Sequence, residues 1–308
     1  MVEPEVLVVG RSCMDIVLVV DGYPPEDHKT AVRQRIIEGG GQGGTAACCV
    51  RRLGGSVAYI GKVGDDEAGS FCLERLQNFG VDTRGVERVR GGHTPVASIV
   101  VNAESGTRTI FYEPSDLPRI DATKVFSSKA AAKPIVLLDP EVTYLAGDAR
   151  SAAGSLYRLV YDCERQRPGL RDMMERADYF IPSEEFLSPE NGFADNAPLA
   201  QRIRSLGRRV RGRLIVTCGA RGAVVAGGDR LLEIEAPSVA VRDTIGAGDN
   251  FHAAFALAVH RGGTMLEAAK LAVAVASLSC TRYGGREGIP TMDEAAQVAA
   301  GLKVAELG

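Results

Sequence analysis

The sequence predicts an α/β protein with a mostly parallel sheet and helices on both faces. Three observations predict it. From Ile135 onward, strand-like apolar runs alternate with helical patterns, the order that winds a parallel sheet. The chain opens with an unbroken apolar run, Val6 to Gly10, as a strand buried on both faces requires. Two segments near 16–37 and 96–112 read as hairpins instead, so they are assigned to a second, smaller sheet.

In chain order, the Val6–Gly10 strand comes first. Ile16–Val20 and Ala31–Ile37 are strand-like on either side of the Pro24-Pro25 turn. The loop from Gly39 to Gly44 opens a helix that runs to about Leu53. Val57–Ile60 is a strand and Ala68–Phe79 a helix. Val96–Val101 and Arg108–Tyr112 flank a turn at Glu104, Ser105 and Gly106. Further strands are Ile135–Asp139, Leu159–Asp162, Tyr179–Ile181, Leu214–Thr217 and Ala223–Ala226, with Leu231–Ile234 at an antiparallel edge. Phe251, Ala254, Phe255, Ala258 and Val259 recur at helical spacing. No linker, low-complexity stretch or internal repeat divides the chain, so residues 1–308 are expected to form one domain. In such a sheet, ligands bind beyond the C-terminal ends of the strands.

Composition narrows the function classes. The chain has 308 residues, 45% hydrophobic and 24% charged, with a formal net charge of −3. That balance points away from nucleic-acid and membrane partners. The densest basic cluster, Arg208-Arg209-Val210-Arg211, reads as a solvated helix end. The seven cysteines include no Cys-x-x-Cys pair, so neither a zinc site nor a disulfide framework is expected. The N-terminus lacks the basic start and long apolar region of a signal peptide. A reducing, cytoplasmic setting fits these features.

The stretch from Asp243 to Asp249 (Asp-Thr-Ile-Gly-Ala-Gly-Asp) carries the strongest chemical signal. Two carboxylates flank a Gly-Ala-Gly turn that opens a helix. A helix start exposes unpaired N–H groups and the positive end of the dipole, so it attracts anions. Gly246, Ala247 and Gly248 let a phosphate approach the backbone, and Asp249 can accept a proton from an attacking hydroxyl. The same residues also suit a plain capped helix after a tight turn.

The second signal is the glycine loop. Gly39, Gly41 and Gly44 satisfy a literal Gly-x-Gly-x-x-Gly, with Asp65 about 20 residues on. That would suit an NAD(P) oxidoreductase, but the preceding segment reads as a half-exposed strand rather than a buried central one. No Walker-type phosphate loop occurs, because Gly61-Lys62 is followed by Val63. Asp15 and Asp27 flank the first strand-like piece and suit a polyol, or are ordinary surface aspartates. Thr217, Gly219 and Gly222 close a strand, near a nucleotide or in a simple hairpin turn. Glu184 and Glu185 follow a strand end and are candidates to place Mg²⁺. His28, His93, His252 and His260 show no metal spacing.

Together these residues resemble the ribokinase-like carbohydrate kinases, the PfkB family, over nearly the whole chain. Asp243–Asp249 is similar to that family's C-terminal signature. Gly39 to Ala47, with Arg52-Leu53-Gly54, is similar to its N-terminal signature. Within the family, Asp15, the Val20–Asp27 segment and Glu104–Ile110 resemble ketohexokinases. Thr45-Ala46-Ala47 and the tail from Cys280 to Pro290 resemble sulfofructose kinases.

The resemblance implies a three-layer αβα fold with a small β-sheet lid, from pieces at about 14–38 and 94–114. It implies an ATP- and Mg²⁺-dependent kinase acting on the primary hydroxyl of a small sugar, a ketose such as fructose or a related polyol. Asp249 would be the base, and Gly246, Ala247 and Gly248 the anion hole. Asp15, Asp27, Gly41, Gln42, Thr45, Arg108 and Asp243 would hold the sugar. Thr217, Gly219 and Gly222, with Gly246 and Gly248, would line the ATP site. Backbone carbonyls near Asp243, Ile245, Gly284 and Gly288 would hold a monovalent cation such as K⁺. The lid would form a homodimer contact. Alternatives on the same fold are a kinase for nucleosides, sugar acids or sulfosugars, and a non-catalytic sugar sensor.

Overall fold

The computed structural model describes residues 3–126, 134–147, 157–194, 196–228 and 230–308. The chain begins with β1 (Val6–Val9), then leaves the main sheet for β2 (Cys13–Val20) and β3 (Gln34–Gly40). It returns through α1 (Gln42–Arg52), β4 (Val57–Gly64), α2 (Glu67–Asn78) and β5 (Asp82–Val89). A second excursion forms β6 (Val96–Asn102) and β7 (Arg108–Tyr112). Next come α3 (Ala122–Phe126), β8 (Ile135–Leu138), β9 (Arg158–Cys163), α4 (Leu170–Arg176) and β10 (Tyr179–Pro182). After α5 (Leu199–Gly207) follow β11 (Arg213–Thr217), β12 (Gly222–Gly227) and β13 (Arg230–Glu235). The chain ends with α6 (Ala247–His260), α7 (Met265–Ser279), α8 (Met292–Gly301) and β14 (Val304–Glu306).

The ten-stranded main sheet has the order β14-β13-β12-β11-β10-β9-β8-β1-β4-β5. It is parallel from β11 through β5, and antiparallel across β11, β12, β13 and β14. Strand periodicity explains the two cores. Successive side chains point to opposite faces, so Val6 and Val8 pack with α1, α6 and α7. Leu7 and Val9 pack with residues of α3, α4 and α5 on the other face. Ile135 and Leu137 divide from Val136 and Leu138 in the same way. Both faces of the centre are therefore apolar, which is why β1 and β8 read as continuous apolar runs. Capping boxes, Thr264 with Glu267 and Thr291 with Glu294, start α7 and α8.

The second sheet has the order β3-β2-β6-β7, with β2 and β6 parallel. Its inner face, Val17, Ala97, Ile99 and Val101, packs on Ile245, with Tyr283 beside it. That contact seats the small sheet over the start of α6.

Three readings are corrected. Gly39 and Gly40 end strand β3, and α1 starts at Gln42, so the glycine loop is shorter than expected. β13 is not an edge, because β14 pairs outside it. β5 was not anticipated, since Arg84, Glu87 and Arg88 hide its pattern. All seven cysteines are buried and unpaired. Among the described residues, no helix is long and apolar enough to cross a membrane.

Candidate active site

Parallel strands deliver their C-terminal ends to one rim. β1 delivers Arg11, β9 delivers Asp162 to Arg165, β10 delivers Ser183 to Glu185, and β11 delivers Thr217 to Gly219, with Cys13 from the start of β2 beside them. Between this rim and the small sheet lies a cleft of about 1360 Å³. Its lining includes Asp15, Gly41, Gln42, Thr45 and Arg108, with Thr217, Gly219 and Gly222 from the end of β11, four strands from β1 in the sheet. Gly246, Ala247, Gly248 and Asp249 line it as well.

The floor is the start of α6. Gly246 is its N-cap in the left-handed region, with φ 69° and no side-chain cap. An L side chain is disfavoured there, and a Cβ would also lie 3.0 Å from Gly285 Cα. At Gly248 a Cβ would meet nothing within 4 Å, so the first turn is open to the cleft. Unpaired N–H groups and the helix dipole at such a start suit an anion.

Asp249 sits in that first turn. Its carboxyl is pushed up to about 7, chiefly by loss of water and next by the nearby Asp162 charge. Arg108 and His252 oppose the shift. A carboxylate with this pKa is suited to proton transfer near neutral pH. His252 lies one turn further along. Its Nδ1 is 2.6 Å from Gly248 O, and its Nε2 is 3.1 Å from Ile181 O. Nε2 also lies 3.5 Å from Asp162 Oδ1. His252 thus ties α6 to the ends of β9 and β10. Burial holds its pKa below the usual value.

Asp15 is buried on β2 and accepts a hydrogen bond from the Cys13 thiol at 2.9 Å. Gly41, with φ 82°, caps α1 and brings Gln42 and Thr45 to the cleft. Arg108 reaches down from β7 and donates to Thr244 Oγ1 at 2.5 Å, bridging the small sheet to the signature turn. Gly219 and Gly222 have φ of 54° and 103°, which fits the tight turn after β11.

Two expected ligand residues are placed otherwise. Asp243 is fully buried, and both carboxylate oxygens serve the backbone. Ile245 N–H donates to Oδ1 at 2.9 Å and Gly284 N–H to Oδ2 at 2.7 Å. It shapes the turn and does not line the cleft. Asp27 is exposed in the β2–β3 connection with φ 60°, and it also lies outside the cleft wall. Asp243 does bring Ile245 and Gly284 together. Gly288 packs instead against Ser279 at the end of α7. Glu184 is held by Arg221, with Arg202 at 3.6 Å, while Glu185 is exposed at the cleft.

Sequence reasoning missed Arg11, Glu38, Asp162 and Arg286. Asp162 had a usable signal, because it sits at a strand C-terminus facing the crevice. Glu38 and Arg286 lie in or beside segments singled out above, but their partners are about 246 residues away in the chain, and Arg11 follows the first strand with no motif of its own.

The chain matches the pfkB family carbohydrate kinases over residues 3–292. It is 26% identical to the ketohexokinase of Mus musculus over 300 residues, covering 92% of this chain and 98% of that protein. It is 27% identical to a Bacillus subtilis ribokinase, covering 94% and 97%. Among solved structures, a Thermotoga maritima ribokinase superposes with a TM-score of 0.79 at 23% identity, covering 97% and 100%. Arabidopsis thaliana ribokinase complexed with ribose and ATP gives 0.78 at 23%, covering 97% and 99%. These two likenesses establish the ribokinase fold. The family match over nearly the whole length, joined to the glycine-lined helix start and its carboxylate, places the chain in the pfkB family of carbohydrate kinases, phosphotransferases with an alcohol group as acceptor.

Proposed function

We propose that the chain transfers the γ-phosphoryl group of ATP to the primary hydroxyl of a small sugar, a ketose foremost. One observation carries the reading. Asp249 stands in an uncapped helix start that lines the same cleft as Asp15 and Arg108 and as Thr217, Gly219 and Gly222. Asp249 takes the sugar proton, and the backbone of Gly246 to Gly248 stabilises the transferring group. Positioning and electrostatics supply most of the rate. The small sheet acts as a lid that excludes water as a competing acceptor.

The sugar is held by Asp15, Gly41, Gln42, Thr45 and Arg108. Carboxylate and carbonyl oxygens accept from hydroxyls, and Arg108 and the Gln42 amide donate. The likeness to a ketohexokinase supports a ketose. Mg²⁺ carries mostly phosphate and water ligands in such sites. Glu185 is the carboxylate free to approach it, since Glu184 is engaged by arginines. The turn shaped by Asp243, with Ile245 and Gly284, is where a monovalent cation is proposed, and stimulation by K⁺ over Na⁺ checks it. The outer face of the small sheet brings Ile16, Ile37 and Phe111 into register, with Leu18 and Val100 beside them. Ile37 and Phe111 are exposed, which supports a homodimer through this sheet.

The test is a phosphorylation panel of ketoses, aldoses, sugar acids and nucleosides with MgATP. Transfer to a ketose with the highest kcat/KM is expected. Preference for a nucleoside or sugar acid contradicts the ketose assignment, and transfer to no acceptor favours a sensor.

A further inference from the structure

Glycines in the first signature face protein. A Cβ at Gly39 would lie 2.6 Å from Arg286 Nη1, and one at Gly44 would lie 2.8 Å from Nη2. A Cβ at Gly40 would run into the Asp15 carboxylate. At Gly39 and Gly44 the space a side chain would fill is taken by a guanidinium from near the far end of the chain.

Arg286 is only 5% exposed. Its Nη2 donates to Gly40 O at 3.0 Å, while Nε and Nη1 have no hydrogen-bond partner among the described residues. Burying a guanidinium this way is costly unless its charge is used. The groups around it supply the use. Asp15 and Glu38 sit opposite each other in the β2–β3 register, and both are buried. Burial pushes both carboxyls up, and the Arg286 charge pulls both down. Glu38 also accepts from Gly285 N–H at 2.6 Å, next to Arg286. The cation therefore lies against the backbone that leads into Gly41.

We propose that Arg286 is a positioning residue of the sugar subsite: it seats the Gly39–Gly44 segment from below, through the Gly40 carbonyl and the space left at Gly39 and Gly44, and so places the backbone at Gly41. This rests on the sugar-subsite reading above. Arg286 does not touch the reacting atoms. Its effect reaches the substrate through the backbone at Gly40 and Gly41.

The experiment has a stability arm and a kinetic arm. Gly39→Ala is made in the wild type, in Arg286→Ala and in Arg286→Lys, which keeps the charge but lacks the Nη atoms. Gly39→Ala should lower Tm by about 4 °C or more in the wild type and by less than about half of that in either variant background. An equal loss in all three backgrounds overturns the packing claim, and the Lys background decides it if Arg286→Ala does not fold. For kinetics, the probe is the sugar with the highest turnover in the panel. Arg286→Ala should raise its KM about tenfold and leave the MgATP KM within about twofold. Arg286→Lys should recover most of the sugar KM. Equal changes in both KM values, or a loss confined to kcat, overturn the positioning role. Asp15→Asn is run in parallel. If it leaves the sugar KM unchanged, the subsite reading fails, while the stability arm still judges the glycine–guanidinium packing on its own.

Discussion

Two glycine-rich turns border the cleft, and they use glycine in opposite ways. In the Gly39–Gly44 segment, the missing side chains make room for Arg286, Asp15, the Arg11 carbonyl and Gly10. At the start of α6, Gly246 is also filled, by Gly285 and Thr45, but Gly248 faces empty space. The first segment brings protein close to protein at each of its glycines, and the second leaves Gly248 open to the cleft. The number of glycines does not separate these cases. What separates them is whether a Cβ would meet an atom.

That contrast breaks most sharply at the carboxylate beside the open glycine. Asp249→Asn should lower kcat by about 10²–10⁴ while both KM values change little. Gly248→Ala should cost about 10² in kcat by obstructing the anion site, with Tm almost unchanged. Gly41→Ala should act chiefly on stability, with a rise in the sugar KM beside it. Its φ of 82° and the Arg11 carbonyl make the substitution strained, at a cost of about 2 kcal/mol in stability. Arg108→Ala should raise the sugar KM about tenfold, with little effect on the MgATP KM. A change confined to the MgATP KM would move Arg108 to the nucleotide side.

The smallest expected effect is on stability against pH. Asp139, Glu38 and Asp249 have folded pKa values raised to about 6, 7 and 7. The folded state then binds more protons than the unfolded chain between about pH 4 and 7. Stability contributed by these groups falls as pH rises through that window. Asp249→Asn removes one of them, so its Tm at pH 8 should exceed the wild type by about 2–4 °C, measured by thermal denaturation. A lower Tm would mean that the Asp249 carboxylate stabilises the fold.

The helix start at Gly246 was legible because its cause is local. Aspartate and glycine around a turn, followed by apolar residues at helical spacing, name an N-terminus without outside help. The central strands were legible for a similar reason, since burial on both faces leaves unbroken apolar runs. β5 was not legible, because an edge strand can carry Arg84, Glu87 and Arg88. Asp243 looked like a ligand residue, but its carboxylate is used by the amides of Ile245 and Gly284, the second of them 41 residues away. Arg286 and Gly40 are 246 residues apart, and only the folded chain shows that they meet. Asp27, which with Asp15 flanks the first strand-like piece in the sequence, is exposed in the structure and outside the cleft lining. Residues whose roles depend on such distant partners cannot be read from spacing.

The central claim is that Asp249 accepts the substrate proton at the open start of α6. The pH dependence of kcat/KM, compared between the wild type and Asp249→Asn, tests it most directly. The wild type should rise with pH through about 7 as the carboxyl ionises, and the variant should lose that limb along with most of its rate. A variant with the same limb and near-normal turnover would contradict the account.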